Sequence, residues 1–164
     1  MAFTDLPFDW SQRPVTDPAV FTDVVDLIVT VRDRYRGCLS VWLCSPTGRL
    51  TQPILVEAPD EPPSNASDTV RWGSDAFAAT QMRRALESLA TVLSTHARPG
   101  SGLVVVIGRS GRADTTDADR HTHEIAIEVC RTHGIPLLGA AVATPERVWA
   151  LPPAAGSPDW ACSA

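Results

Sequence analysis

Side chains able to hold a metal crowd closest at Asp119, His121 and His123, in the run D-A-D-R-H-T-H-E over residues 117–124. Catalytic zinc needs three nitrogen or oxygen ligands converging on one point, with a position left open for water. On a helix, positions two apart point about 200° from one another, so His121 and His123 do not face one ion. Asp119 and His123 stand one turn apart, which admits an ion pair or a weak metal site. The plainer expectation is a polar first turn whose acids favour the helix dipole.

A second kind of chemistry is offered just upstream by Gly108, Arg109, Ser110, Gly111 and Arg112. A glycine-containing loop after a strand and before a helix collects free N–H groups, so Arg109 and Arg112 could bind phosphate or carboxylate there. The spacing is neither G-x-x-x-x-G-K-[ST] nor G-x-G-x-x-G. A plain connecting loop is the alternative. Ser110 with His121 or His123 would make a nucleophile and base, but nothing in the spacing resembles a nucleophile elbow. Glu57 is one more acid within reach of a cleft, expected to be solvated.

The elements that must position these residues follow from the periodicity. Residues 1–15 lack a period and read as an arm, with Phe8 and Trp10 as its anchors. Asp17 and Pro18 then suit a helix start, and Val20, Val24, Leu27, Ile28 and Val31 make one apolar face, predicting a single helix that ends near Gly37. Residues 39–44 alternate as a strand, Ser45-Pro46-Thr47-Gly48 is a turn, and residues 54–57 return. An acidic Pro- and Ser-rich stretch over residues 58–74 reads as a long loop. A helix is expected over 75–97, with Phe77, Met82, Leu86, Leu89, Val92 and Leu93 inward. Residues 103–107 are a wholly apolar strand, covered on both faces. A helix starts near Asp117 and stops at His133-Gly134; strands follow over 137–142 and 148–151. Helices interleaved with strands around one sheet define an α/β or mixed α+β class.

Bulk properties bound the function. The chain has 164 residues, enough for one domain; the body is expected over 16–152, with a loose tail over 153–164. All 14 Lys+Arg residues are arginine, which points to a GC-rich bacterial genome. Net charge is −5, which argues against a sequence-independent grip on nucleic acid, although Arg32, Arg34 and Arg36 could form a local basic patch. No apolar run reaches the roughly 20 residues that span a bilayer, and acids near the N-terminus are unlike a signal peptide, so a cytoplasmic protein is expected. Cys38, Cys44 and Cys130 lie in apolar elements as buried thiols, and Cys162 lies in the tail. Trp42 and Trp149 alternate out of their strands' apolar pattern; they either cover core or form an interface patch for a partner or a second copy.

Several local strings, in order, resemble the RadC-like branch of the JAB/MPN (JAMM) domain family. Arg32-Asp33-Arg34-Tyr35-Arg36-Gly37 feeding the first strand is similar to the family's R-D-x-x-R-E segment. Its motif H-N-H-P-S-G-x-P-x-P-S-x-x-D aligns without a gap on V-I-G-R-S-G-R-A-D-T-T-D-A-D, residues 106–119. Gly134-Ile135-Pro136-Leu137-Leu138 resembles the following G-I-x-L-L turn, and the likeness spans residues 16–156.

The resemblance implies a JAB/MPN-like, cytidine-deaminase-like mixed sheet flanked by helices. It also implies a zinc ion held by two His and one Asp, with an acid nearby as base. In this chain the two His positions hold Val106 and Gly108, the Pro position holds Arg109, and the acid's position holds Gly37. Asp119, Thr116 and Ser110 remain as a remnant. The expectation is therefore a protein with no catalytic residues and no cofactor, acting as a binding, scaffold or dimerisation module. It would take a protein partner or a second copy of itself, and neither nucleic acid nor membrane. The rival expectations are a metal-dependent hydrolase with its zinc site moved to Asp119 and His123, or a small-anion or nucleotide sensor using residues 108–112.

Overall fold

Thr30 breaks the first helical stretch in two. The structure, a computed structural model, describes residues 6–57, 76–96 and 98–153, and their side chains except at 76–79 and 96. Helix α1 (Phe21–Ile28) ends where Val29 turns extended, and α2 (Val31–Arg36) starts afresh. Thr30 Oγ1 accepts the Asp33 N–H at 3.3 Å, and the Asp33 carboxylate accepts the Thr30 N–H at 2.9 Å. This reciprocal capping box satisfies two orphan donors and outweighs the continuous apolar stripe that predicts one helix. Gly37, at φ 84°, closes α2 in a conformation that glycine adopts without strain.

The remaining elements are β1 (Cys38–Cys44), β2 (Leu50–Glu57), α3 (Ala76–His96), β3 (Gly102–Gly108), α4 (Asp117–Thr132), β4 (Leu137–Ala143) and β5 (Val148–Ala150). Strand β2 begins four residues before its predicted start because Leu50, Gln52 and Pro53 also pair with β1, and Pro53 is tolerated there on an edge strand. The five strands form one mixed sheet in the order β2-β1-β3-β4-β5. Only β3 and β4 run parallel, joined by α4; the other neighbours are antiparallel. The class is mixed α and β.

Central strand β3 is buried along its whole length. Leu103, Val105 and Ile107 face one way, packing with Leu86 of α3 and with Ile125 and Val129 of α4. Val104 and Val106 face the other way, with Val24 and Val25 of α1 and with Trp42. Two cores thus sandwich one sheet, as the unbroken apolar run of β3 requires. In the arm, residues Trp10–Gln12 make a 3-10 turn; Trp10 packs against the α1 core, while Phe8 is exposed and anchors nothing. The predicted loop over 58–74, Phe77, Cys162 and nearly all of the tail lie outside the described residues or side chains. Cys38, Cys44 and Cys130 are buried, and burial pushes each thiol up to about 12. Among the described residues, no helix is long and apolar enough to cross a membrane.

Trp42 decides between its two expectations in favour of core. It is 0% exposed, its Nε1–H donates to Ser40 Oγ at 2.8 Å, and Phe21 meets it edge-on at 6.5 Å. With α1 lying on this face, alternation along β1 cannot separate inside from outside. Trp42 is core and offers no surface to a partner. Trp42→Ala is therefore expected to cost about 3–5 kcal/mol in chemical denaturation, the usual range for emptying a buried aromatic site. Stability within about 0.5 kcal/mol of wild type would instead mark a surface residue.

Candidate functional site

One end of the sheet gathers the chemistry. Gly108 at the end of β3 is paired with Cys38 at the start of β1 and with Ala143 at the end of β4, and Cys38 is paired with Glu57. Residues 109–116 and 144–147 leave the carboxyl ends of the parallel pair here, the edge at which open α/β sheets hold ligands.

Arg109 organises this end. Although charged, it is only 8% exposed. Its Nε–H and one Nη2–H donate to the two oxygens of Asp119, both at 2.8 Å. The rest of the guanidinium donates to the carbonyls of Ser110 (3.2 Å), Arg112 (3.1 Å) and Asp114 (2.7 Å). An arginine has five N–H donors, and all five are spent. Asp119, 1% exposed, also accepts the Thr116 N–H at 2.8 Å, and Thr116 Oγ1 accepts the Asp119 N–H at 3.2 Å. Thr116 and Asp119 are thus the capping box of α4. Trp149 joins from β5, its ring 5.9 Å from the guanidinium carbon and its Nε1–H donating to Thr115 at 3.0 Å. Trp149 is half-buried against this hub.

This arrangement favours the plain connecting loop over the possible anion-binding one. Arg109 holds its own loop and has no donor left for a ligand, while Arg112 is exposed and paired with Asp114 at 3.1 Å. Ser110 supplies its carbonyl to Arg109 and is half-buried; Gly111, at φ 97°, makes the turn.

The residues present do not fit zinc. Both oxygens of Asp119 already accept strong hydrogen bonds from a cation. A Cβ added at Gly108 would lie 2.4 Å from Cys38 Sγ and 3.2 Å from Val29 Cγ1, so this position has no room for an imidazole. Val106 is fully buried in the α1 core. His123 is half-buried one turn beyond Asp119, whereas His121 is exposed with Glu124 at 3.9 Å. Among the described residues, no three His, Cys, Asp or Glu side chains are grouped to hold a metal. Asp119 and His123 do not make a weak site either, since Asp119 is committed to Arg109.

A second buried arginine was hidden in the sequence. Arg34, expected in a basic patch with Arg32 and Arg36, lies inside instead. Its Nε donates to the Val29 carbonyl (2.9 Å), Nη1 to the Thr144 carbonyl (3.1 Å) and Nη2 to Asp26 Oδ1 (2.6 Å). The signal for it was Thr30-x-x-Asp33, which turns α2 so that Arg34 faces α1. Arg32 and Arg36 remain exposed, as does Glu57. Around the Pro145–Glu146 turn open two recesses. One, of about 560 Å³, is lined by Tyr35, Gly111, Arg112 and Ala113; the other, of about 370 Å³, by Asp23, Asp26, Val31, Arg34 and Arg147.

In comparisons with known proteins, the chain matches no family model, no curated protein and no solved structure.

Two outcomes follow from this geometry. Arg109→Met or Asp119→Leu alone leaves a buried charge unpaired and is expected to cost about 3–5 kcal/mol, whereas the double substitution costs less than the sum of the two. Additive costs in denaturant melts would show that the pair is not coupled. Burial also lowers the pKa of His123, partly opposed by Glu124. The neutral imidazole is therefore favoured in the fold, so stability is full above the usual value of about 6.5 and falls as the pH drops through the lower folded value. His123→Gln should flatten the pH–stability curve in that window; an unchanged slope would assign it elsewhere.

Proposed function

We propose that the chain is a catalytically inert, RadC-like JAB/MPN-type domain that works by binding a protein partner or a second copy of itself. The observation that carries this reading is the Arg109 guanidinium seated on Asp119, the one carboxylate that the resemblance would assign to a metal. A guanidinium neutralises a carboxylate as a cation does, but it offers no open coordination position and cannot generate hydroxide from bound water. Gly37 adds no acid at the position of the proton acceptor. At the level of class, a mixed sheet flanked by helices is compatible with the reading.

The rival readings draw less support. A relocated zinc site would need Asp119 freed from Arg109, and a small-anion sensor would need donors that Arg109 has already spent.

The test is elemental analysis of protein purified without chelator, and again after zinc loading and desalting, alongside an assay of peptide and isopeptide hydrolysis. The expected result is no stoichiometric metal and no turnover in either sample. Stoichiometric zinc that disappears in Asp119→Ala would replace this reading with a hydrolase.

A further inference from the structure

A third cavity, of about 310 Å³, opens at the other end of the sheet, where β3 and β4 begin and where α3 and α4 end. Its volume suits a small organic molecule. Leu93 of α3, with Ile135 and Pro136 of the turn before β4, gives it an apolar side, and Arg98, Ser101 and His133 give it a polar one. None of its eleven lining residues is Asp or Glu. The surrounding chain agrees. Although the protein carries 19 Asp+Glu residues and a net charge of −5, residues 88–113 and 129–145, which supply every wall, contain no acid. The same holds for residues 34–56, whose Pro46 packs against Gly100.

The polar side is unspent. Arg34 and Arg109 are each seated on an aspartate, but among the described residues the side chains of Arg98, His133 and Ser101 have no ion-pair or hydrogen-bond partner. Cations suit the carboxyl ends of helices, yet the end of α4 does not use these. The carbonyls of Val129, Cys130 and Arg131 accept the N–H groups of His133 (3.1 Å), Ile135 (2.9 Å) and Gly134 (3.2 Å). The Arg98 guanidinium and the His133 ring, which donates an N–H in either charge state, thus keep their donors for a ligand.

The walls are also fixed. The Ser101 N–H donates to the Arg98 carbonyl at 3.0 Å, and the Leu103 N–H ties this turn to the next through the Pro136 carbonyl at 2.9 Å. Gly102 lies so close to Leu138 that a Cβ there would come within 2.6 Å of its Cγ. A cavity shaped in advance loses less freedom on binding. We infer that it binds a small organic anion, its carboxylate or phosphate on Arg98 and His133 and its apolar body against Leu93, Ile135 and Pro136. A bare inorganic ion would leave that apolar side unused. The site is separate from the Arg109 hub and from residues 108–112, and it goes beyond the binding-module reading without resting on it.

The experiment follows proton–nitrogen NMR spectra of the full chain during titration with benzoate, with phenyl phosphate and, as their neutral counterpart, with benzyl alcohol. The expected result is a saturable shift centred on the amides of Gly100, Ser101 and Gly134, produced by an anion and not by the alcohol. Whichever anion binds more tightly assigns the acidic group. Arg98→Ala and His133→Gln should each weaken that anion about tenfold, the usual worth of a hydrogen bond to a charged group, with the melting temperature unchanged. Arg84→Ala, on the exposed side of α3, should leave it unaltered. Shifts that do not saturate, that centre elsewhere, that benzyl alcohol reproduces or that survive both substitutions would each overturn the anion site. Metal content and hydrolysis are read separately, so such a failure would leave the inert-module reading standing.

Discussion

The fork between Arg109 and Asp119 is the contact on which the functional end of this protein depends. It closes a loop onto its own carbonyls, fixes the first turn of α4, and places a cation beside Trp149 of the edge strand. Through the Arg109 N–H it also continues the ladder onto β4. Buried pairs of this kind are weak sources of stability, because removing two charges from water offsets most of their attraction. Their effect here is on shape. A hydrophobic pair could fill the same space, but it could not gather three carbonyls and a helix cap around one point.

Arg34 repeats the device a short distance away. It binds the end of α1, an aspartate of α1 and the start of the 144–147 turn, and so links the α1–α2 break to the sheet. The sheet makes both placements possible. With β3 sealed by cores on both faces, the carboxyl ends of β3 and β4 are held rigidly, and their turns are positioned from below. Gly108 belongs to that seal: its missing side chain lets Cys38 and Val29 close over the strand end. The same closeness leaves no space for a ligand-bearing side chain at that position.

Much of the architecture was legible from periodicity. The apolar run at 103–107, the hairpin at 39–57 and the helix beginning at Asp117 carry their own signals, since burial on two faces, turn residues and capping each leave a local trace. Other features needed contacts between distant segments. Trp42 alternates with apolar neighbours as a surface residue would, and only α1 lying across β1 makes it core. Arg34 and Arg109 look like solvated cations in the chain; what buries them is an aspartate eight and ten residues away, respectively. The helix break at Thr30 is carried by a four-residue capping signal, Thr30-x-x-Asp33, that lies within a longer apolar stripe pointing to one continuous helix.

The most direct test of this account reads Arg109 itself. In proton–nitrogen NMR spectra of the native protein, a guanidinium with every donor engaged should show a resolved Nε–H signal, protected from exchange with water and absent in Arg109→Lys. Such a signal, lost together with its protection when Asp119 is replaced by Asn, is the expected result. An Arg109 Nε–H that exchanges as fast as those of the exposed arginines would mean that the guanidinium is free, and the site would then be open to another cation.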